Sequence, residues 1–172
     1  DRLADQPLVR ADLLAAIGLS YKNLSEYHRA GELLERSLAI KTAAGLESTP
    51  DFALTVYEPA NLRRFEGRFE DSERQFKRAL AIQQRIFDGP HKDTAATLTH
   101  LAVLYYEMQR LQDSLKLQRQ ALEMTRAVLG PSHNETADRM NNLALVLQEL
   151  DRYQEAERHL RLALRIRLDA LG

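Results

Sequence analysis

No cysteine occurs in the 172 residues. That excludes disulfides, thiolate metal ligands and cysteine nucleophiles together, and it agrees with a reducing compartment such as the cytoplasm. Tryptophan is also missing, aromatic residues are 6% of the chain, and there are only seven glycines and five prolines. So few turn formers argue against strand-rich architectures. Neither sign of charge dominates: 24 Lys and Arg face 25 Asp and Glu, which leaves no basic footprint for nucleic acid or an anionic membrane. No apolar run reaches the roughly 18 residues of a membrane span, and no charged-then-apolar leader opens the chain. The first residue is Asp1, as expected of a piece cut from a longer chain. What is abundant is Ala, Leu, Glu, Arg and Gln, with 28% of residues charged. That composition reads as helical, and the length suits one domain or a short repeat array.

A repeat is present. Leu38, Leu80, Leu122 and Leu164 follow one another at steps of 42 residues, each preceded by Ser or Ala. The same step links Tyr27, Phe69, Leu111 and Tyr153, and again Gly18, Ala60, Ala102 and Ala144. Four units fill the chain, at about 7–48, 49–90, 91–132 and 133–172. Within a unit the apolar spacing is that of two helices: Met140, Leu143, Ala144 and Leu147 recur at i, i+3, i+4, i+7, and a second periodic stretch begins at Tyr153. Gly67 marks the turn inside the second unit, and Pro50, Pro90 and Pro131 fall between units. These signals predict eight helices, at 7–24, 26–44, 50–66, 68–88, 92–108, 110–129, 134–150 and 152–171. The small pairs Gly18/Ala30, Ala60/Ser72, Ala102/Ser114 and Ala144/Ala156 are expected where the two helices of a unit touch.

This pattern of small and large residues resembles the tetratricopeptide repeat. Asn142-Leu143-Ala144, Tyr153-Gln154-Glu155-Ala156-Glu157 and Leu129-Gly130-Pro131-Ser132-His133 are similar to the 42-residue, kinesin-light-chain-like variety. The resemblance implies an all-α, right-handed α-solenoid of four helix-turn-helix repeats, forming a single domain over 1–172. It implies a protein-protein interaction module, not an enzyme, holding a peptide or protein segment on a concave face lined by the first helix of each pair. The lining positions put Lys22, Asn61, Arg64, His100, Tyr106, Asn141 and Asn142 forward as ligand contacts, with Val103 and Leu145 among their neighbours. Chaperone-binding members clamp an acidic C-terminal tail with Lys, Asn and Arg. Here those places hold Ala15, Leu19, Glu58, Ala96 and His100, so an acidic tail is not expected and a ligand of mixed polar and apolar character is. The opening Ala4-Asp5-Gln6-Pro7-Leu8-Val9-Arg10 is similar to the first repeat behind the kinase domain of some bacterial serine/threonine kinases. The alternative reading is therefore a structural, oligomerising or regulatory spacer of a larger signalling protein.

Other chemistry finds little support. The five histidines form no H-E-x-x-H and no i, i+4 pair, and no Gly-rich phosphate loop or G-x-S-x-G occurs. No catalysis, metal or cofactor is expected. His91 and His133, one repeat apart, read as polar residues organising the start of the next helix. Arg158, Arg161, Arg165 and Arg167 cluster late, but Glu155, Glu157 and Asp169 accompany them without interleaved aromatics, so nucleic acid is not expected. Two local departures stand out. Pro59 replaces the apolar residue seen as Ile17, Leu101 and Leu143, and Arg63 stands where Tyr21, Tyr105 and Leu147 do. Together they predict a kink near Thr55–Pro59 and a local rearrangement. Leu162 and Leu168 replace polar residues of the earlier copies, so helix 152–171 is expected to pack against another chain, by self-association, or against a fifth repeat of a longer parent.

Overall fold

The computed structural model describes residues 6–171. Asp1–Asp5 and Gly172 lie outside the described residues, and with them the first residues of the kinase-like opening motif. Eight helices are found among the described residues: α1 (Pro7–Asn23), α2 (Tyr27–Ala43), α3 (Pro50–Phe65), α4 (Phe69–Ile86), α5 (Lys92–Glu107), α6 (Leu111–Leu129), α7 (Asn134–Glu149) and α8 (Tyr153–Leu171). Each begins and ends within two residues of its predicted bounds. The histidines between units act as proposed. His91 Nδ1 accepts from the backbone N–H of Asp93 at 3.3 Å, and His133 Nδ1 accepts from that of Glu135 at 3.2 Å. Each thereby satisfies one of the free N–H groups at a helix start.

The turn inside every repeat has one geometry. Ser25, Gly67, Gln109 and Asp151 are 42 residues apart, and all have positive φ, between 57° and 74°. The residue after each donates its N–H back five positions, as Arg110 does to the Tyr105 carbonyl at 2.8 Å. This is the Schellman closure, whose left-handed residue is best served by glycine. Only the second copy uses it. Gln109→Gly is therefore expected to stabilise the chain by roughly 1 kcal/mol, because a side chain there opposes the left-handed backbone. A urea midpoint unchanged or lowered by that substitution would contradict the assignment.

The chain divides into two compact units, one ending at Phe87 and one starting at Asp88. In the first, α1 packs on α2, α2 on α3, and α3 on α4. Gly18, Ala30, Ala60 and Ser72 are all buried, and the Ser72 hydroxyl donates to the Ala60 carbonyl at 2.7 Å. Leu38, Phe52, Ala53, Val56, Ala79 and Ile82 form one core cluster, and Ala30, Leu34 and Leu62 another. α3 runs from Pro50 to Phe65 as one helix through Pro59, whose ring is buried. Beside it lies an open cavity of about 400 Å³, which Glu35, Leu38, Ala39 and Pro59 help to line. Arg63 is accommodated by ion pairs with Glu35 and Glu66, and those carboxylates outweigh the cost of its burial and raise its pKa. Lys41 is only 3% exposed. Burial disfavours its charge, but hydrogen bonds to Asp51 and Asp12 win and raise its pKa.

In the second unit α5 packs on α6, α6 on α7, and α7 on α8. Ala102, Ser114, Ala144 and Ala156 sit at the helix crossings, each at most 1% exposed, and Ser114 donates to the Ala102 carbonyl at 2.7 Å. The main core joins Leu115 and Leu122 of α6 to Met140, Leu143 and Leu147 of α7 and to Ala156 and Ala163 of α8. Arg167 pairs with Asp138 at 2.6 Å, one hundred and twenty-six residues on from the Lys41–Asp12 pair.

One group in this unit makes stability depend on pH. His159 is half-buried, and its Nδ1 is enclosed without a hydrogen-bond partner among the described residues. Burial lowers its pKa below the ordinary 6.5; Arg126, Arg119 and Arg158 add to the effect and Glu155 opposes it. The unfolded chain then binds a proton that the folded chain resists. Stability is full above the unfolded value, and is lost as pH falls from there through the folded value. The urea midpoint should be lower at about pH 5 than at about pH 7.5, and His159→Gln should shrink that difference. An undiminished difference in the variant would assign it to other groups.

Candidate ligand-binding site

The seven sequence-predicted contacts divide between the units. Lys22, Asn61 and Arg64 belong to the first. Lys22 Nζ is engaged by Glu58 at 2.7 Å, joining α1 to α3. Asn61 is 5% exposed, and its Oδ1 accepts from Arg64 Nε at 3.3 Å. The Arg64 guanidinium also lies over the Phe65 ring, 4.3 Å from its centroid. Lys22 is thus engaged by Glu58, and Asn61 by Arg64.

His100, Tyr106, Asn141 and Asn142 belong to the second unit, where the first helix of one repeat and the first helix of the next enclose a cavity. It measures about 280 Å³ and is lined by Val103, Tyr106 and Glu107 of α5, Gln118 of α6, and Asn142, Leu145 and Val146 of α7. The structure brings Tyr106 and Asn142 together there; His100 and Asn141 do not line it. The helical period explains the set. Val103, Tyr106 and Glu107 stand at i, i+3, i+4, and so do Asn142, Leu145 and Val146, so each helix turns one stripe inward. Most of the wall is apolar. The Tyr106 hydroxyl donates to Glu149 Oε1 at 3.1 Å, and burial together with that carboxylate raises the phenol's pKa. The phenol is therefore a fixed donor, and Glu149 places a carboxylate beside the cavity.

Gln118 is the residue that sequence reasoning missed. It is 2% exposed, and its Oε1 is buried with no hydrogen-bond partner among the described residues. A buried acceptor left unmatched costs about 1–3 kcal/mol. The signal was available: the other copies hold Leu34, Phe76 and Leu160 at this position. The third repeat alone has a polar group here, at the cavity wall.

This arrangement can hold one side chain. The apolar walls supply about 1.5–3 kcal/mol for burying it. The Gln118 and Asn142 carboxamides each offer a donor and an acceptor to a neighbouring backbone or polar tip. Among the described residues no group of three or more His, Asp or Glu could hold a metal ion, and no helix is long and apolar enough to cross a membrane.

The tetratricopeptide repeat model matches residues 52–126 and 93–169. The chain belongs to the tetratricopeptide repeat family, and its fold is the all-α solenoid of that family. Among solved structures it is similar to BtubC (BKLC) from P. vanneervenii, with a TM-score of 0.90 at 22% identity, over 97% of this chain and 66% of that one. A putative kinesin light chain with nearly identical TPR-like repeats from Podosopora anserina matches with a TM-score of 0.77 at 21% identity, over 94% of this chain and 76% of that one. MamA matches with a TM-score of 0.70 at 16% identity, over 98% and 84%. The chain thus spans just under two thirds of the length of BtubC. No curated protein matches the sequence. At these identities the likeness to solved structures is one of fold, and the kinesin-light-chain-like character of the repeats agrees with it.

Proposed function

We propose that this chain is a cytoplasmic protein-interaction module that binds an extended segment of a partner protein on the concave face of its repeats, without catalysis or a cofactor. The observation that carries the reading is the α5–α7 cavity with Gln118 in its wall. A polar group buried without a partner lowers stability in the free protein, and it is accounted for if a ligand completes it. One apolar side chain of the segment fills the cavity while Asn142 and Gln118 hydrogen-bond the adjoining peptide groups. The Glu149 carboxylate beside Tyr106 disfavours an acidic tail, which keeps the ligand mixed in character. His100 and Asn141, and Lys22, Asn61 and Arg64 in the first unit, belong to the proposed surface as well.

Gln118→Leu separates this reading from a purely structural one. Peptides selected from a random displayed library supply the ligand. The variant should be more stable than the parent, by about 1–2 kcal/mol, because it removes the unmatched acceptor. It should also bind the selected peptide more weakly. A variant that gains stability and binds unchanged would take Gln118 out of recognition.

The outer side of α8 favours a second reading, assembly. Leu160, Leu162, Leu164 and Leu168 are between 39% and 58% exposed there, and so much apolar surface on one helix suits a protein partner.

A further inference from the structure

Two helices of the second unit end on the charge that a helix end disfavours. In the first unit the first helix of each repeat closes with cations: Lys22 lies in the last turn of α1, and Arg63 and Arg64 in that of α3. α5 and α7 have no basic residue in the last turn, and each ends on a glutamate, Glu107 and Glu149. These two stand 42 residues apart, at the position that Asn23 and Phe65 hold in the earlier copies. The C-terminal end of a helix carries partial negative charge, so a carboxylate there is disfavoured and a cation favoured.

Glu149 adjoins the site already described. Its Oε1 accepts from the Tyr106 hydroxyl at 3.1 Å, and Tyr106 lines the cavity, so the carboxylate stands one hydrogen bond beyond the wall. It is exposed, and no cation pairs with it among the described residues. An ionised carboxylate accepts at about four sites, so lone pairs remain after the phenol is served. Inside the cavity Gln118 Oε1, on a side chain 2% exposed, accepts from nothing among the described residues. What is unmatched here is therefore acceptors: a buried carboxamide oxygen in the wall and a carboxylate just outside it. Leu145, 56% exposed, keeps the cavity open to solvent between them and a ligand.

We infer that the segment bound at the α5–α7 cavity carries a lysine or arginine two positions from its apolar anchor, and that Glu149 selects it. The inference rests on the reading above, that this cavity takes an apolar side chain of a peptide, and it names the chemistry of that peptide: apolar and basic in alternation. In an extended segment residues two apart share a face and lie roughly 6.5 Å from one another. With the anchor in the cavity, a long cationic side chain on that face spans the distance to a carboxylate one hydrogen bond past the wall. Lysine and arginine are donors without an acceptor, so either supplies what the site lacks. An aspartate or glutamate in the same place meets Glu149 as a like charge. The cation also offsets the conflict between Glu149 and its helix end, which the free protein leaves uncompensated.

The test selects one random displayed peptide library against three whole chains: the parent, Glu149→Gln and Glu149→Lys. The Gln variant still accepts the Tyr106 hydroxyl and loses only the charge. Peptides taken by the parent should share an apolar position with Lys or Arg two residues from it. Those taken by Glu149→Gln should keep the apolar position without the basic preference, and those taken by Glu149→Lys should exchange it for Asp or Glu. No basic preference on the parent, or one that persists on Glu149→Gln, overturns the inference; if those peptides still bind Gln118→Leu more weakly, the cavity reading stands without it. Peptides whose affinity is unchanged both by Gln118→Leu and by the joint replacement of Asn142 and Tyr106 with alanine overturn the cavity reading and the inference together. A single selected peptide gives the second measurement. Replacing its basic residue by alanine should weaken binding about fivefold on the parent and less than about twofold on Glu149→Gln. Equal losses on the two chains would place the cation elsewhere and overturn the pairing.

Discussion

Replacing Asn142 and Tyr106 together with alanine is expected to weaken a selected peptide at least tenfold, about 1.4 kcal/mol of binding free energy. Asn142 contributes a half-buried carboxamide at the cavity, and Tyr106 contributes both wall and hydroxyl. The hydroxyl is held by Glu149 at 3.1 Å. Removing both therefore takes away a donor–acceptor pair and part of the apolar lining in one step. Tyr106 also packs against the core of the second unit, so affinities should be compared well below both melting transitions. Tyr106→Phe is the finer control. It keeps the ring and frees Glu149, so it separates wall from hydrogen bond. Unchanged affinity in the double variant would move the ligand off this surface.

The largest effect on stability is expected from Phe76→Ala in the first unit. Phe76 is fully buried on α4, and truncating a buried phenylalanine costs about 3–5 kcal/mol through lost transfer energy and the cavity left behind. This unit already has the cavity beside Pro59, so it has little capacity to absorb a second one. Stability in a repeat array is close to a sum over neighbours. The loss should therefore appear first as an earlier transition of probes placed in residues up to Phe87, with probes after Asp88 changing less. A loss of less than about 1 kcal/mol would mean that the neighbours collapse into the space.

The helices were legible because the repeat states its pattern four times. A single copy with Pro59 or Gln118 in it would be ambiguous, whereas four copies in phase expose both as departures. Small residues at the crossings, the histidine starts and the prolines between units could be read because each follows from local chemistry. The left-handed turn residues could not. Gly67 signals one turn, but Ser25, Gln109 and Asp151 adopt the same backbone under tertiary constraint, and nothing in those residue types announces it. Lys41 was equally silent. Its burial depends on Asp12 and Asp51 arriving from two other helices, which only the folded arrangement brings about. Pro59 was readable as an anomaly, and α3 runs on through it with a cavity at its side, a feature that the spacing of residues does not foretell.

The site was half legible. Tyr106 and Asn142 lie on first helices, where the family's lining positions pointed. Gln118 lies on a second helix, outside that list, and came to attention only through its unmatched oxygen. Comparing the four copies at this one position, Leu34, Phe76, Gln118 and Leu160, would have found it. Lys22, Asn61 and Arg64 illustrate the reverse. Their residue types suggest ligand contacts, but Lys22 engages Glu58, and Asn61 engages Arg64. Side-chain partners decide how much of such a residue is available, and partners cannot be read from spacing.

The most direct measurement is the titration of a selected peptide into isotopically labelled protein, following the side-chain carboxamide signals of Gln118 and Asn142 together with the backbone amides of α5 and α7. The cavity account predicts that both carboxamide signals shift saturably, at the same midpoint as the amides of Val103 to Glu107 and Asn142 to Val146. Saturable binding that leaves Gln118 and Asn142 unmoved while signals elsewhere in the chain change would contradict it.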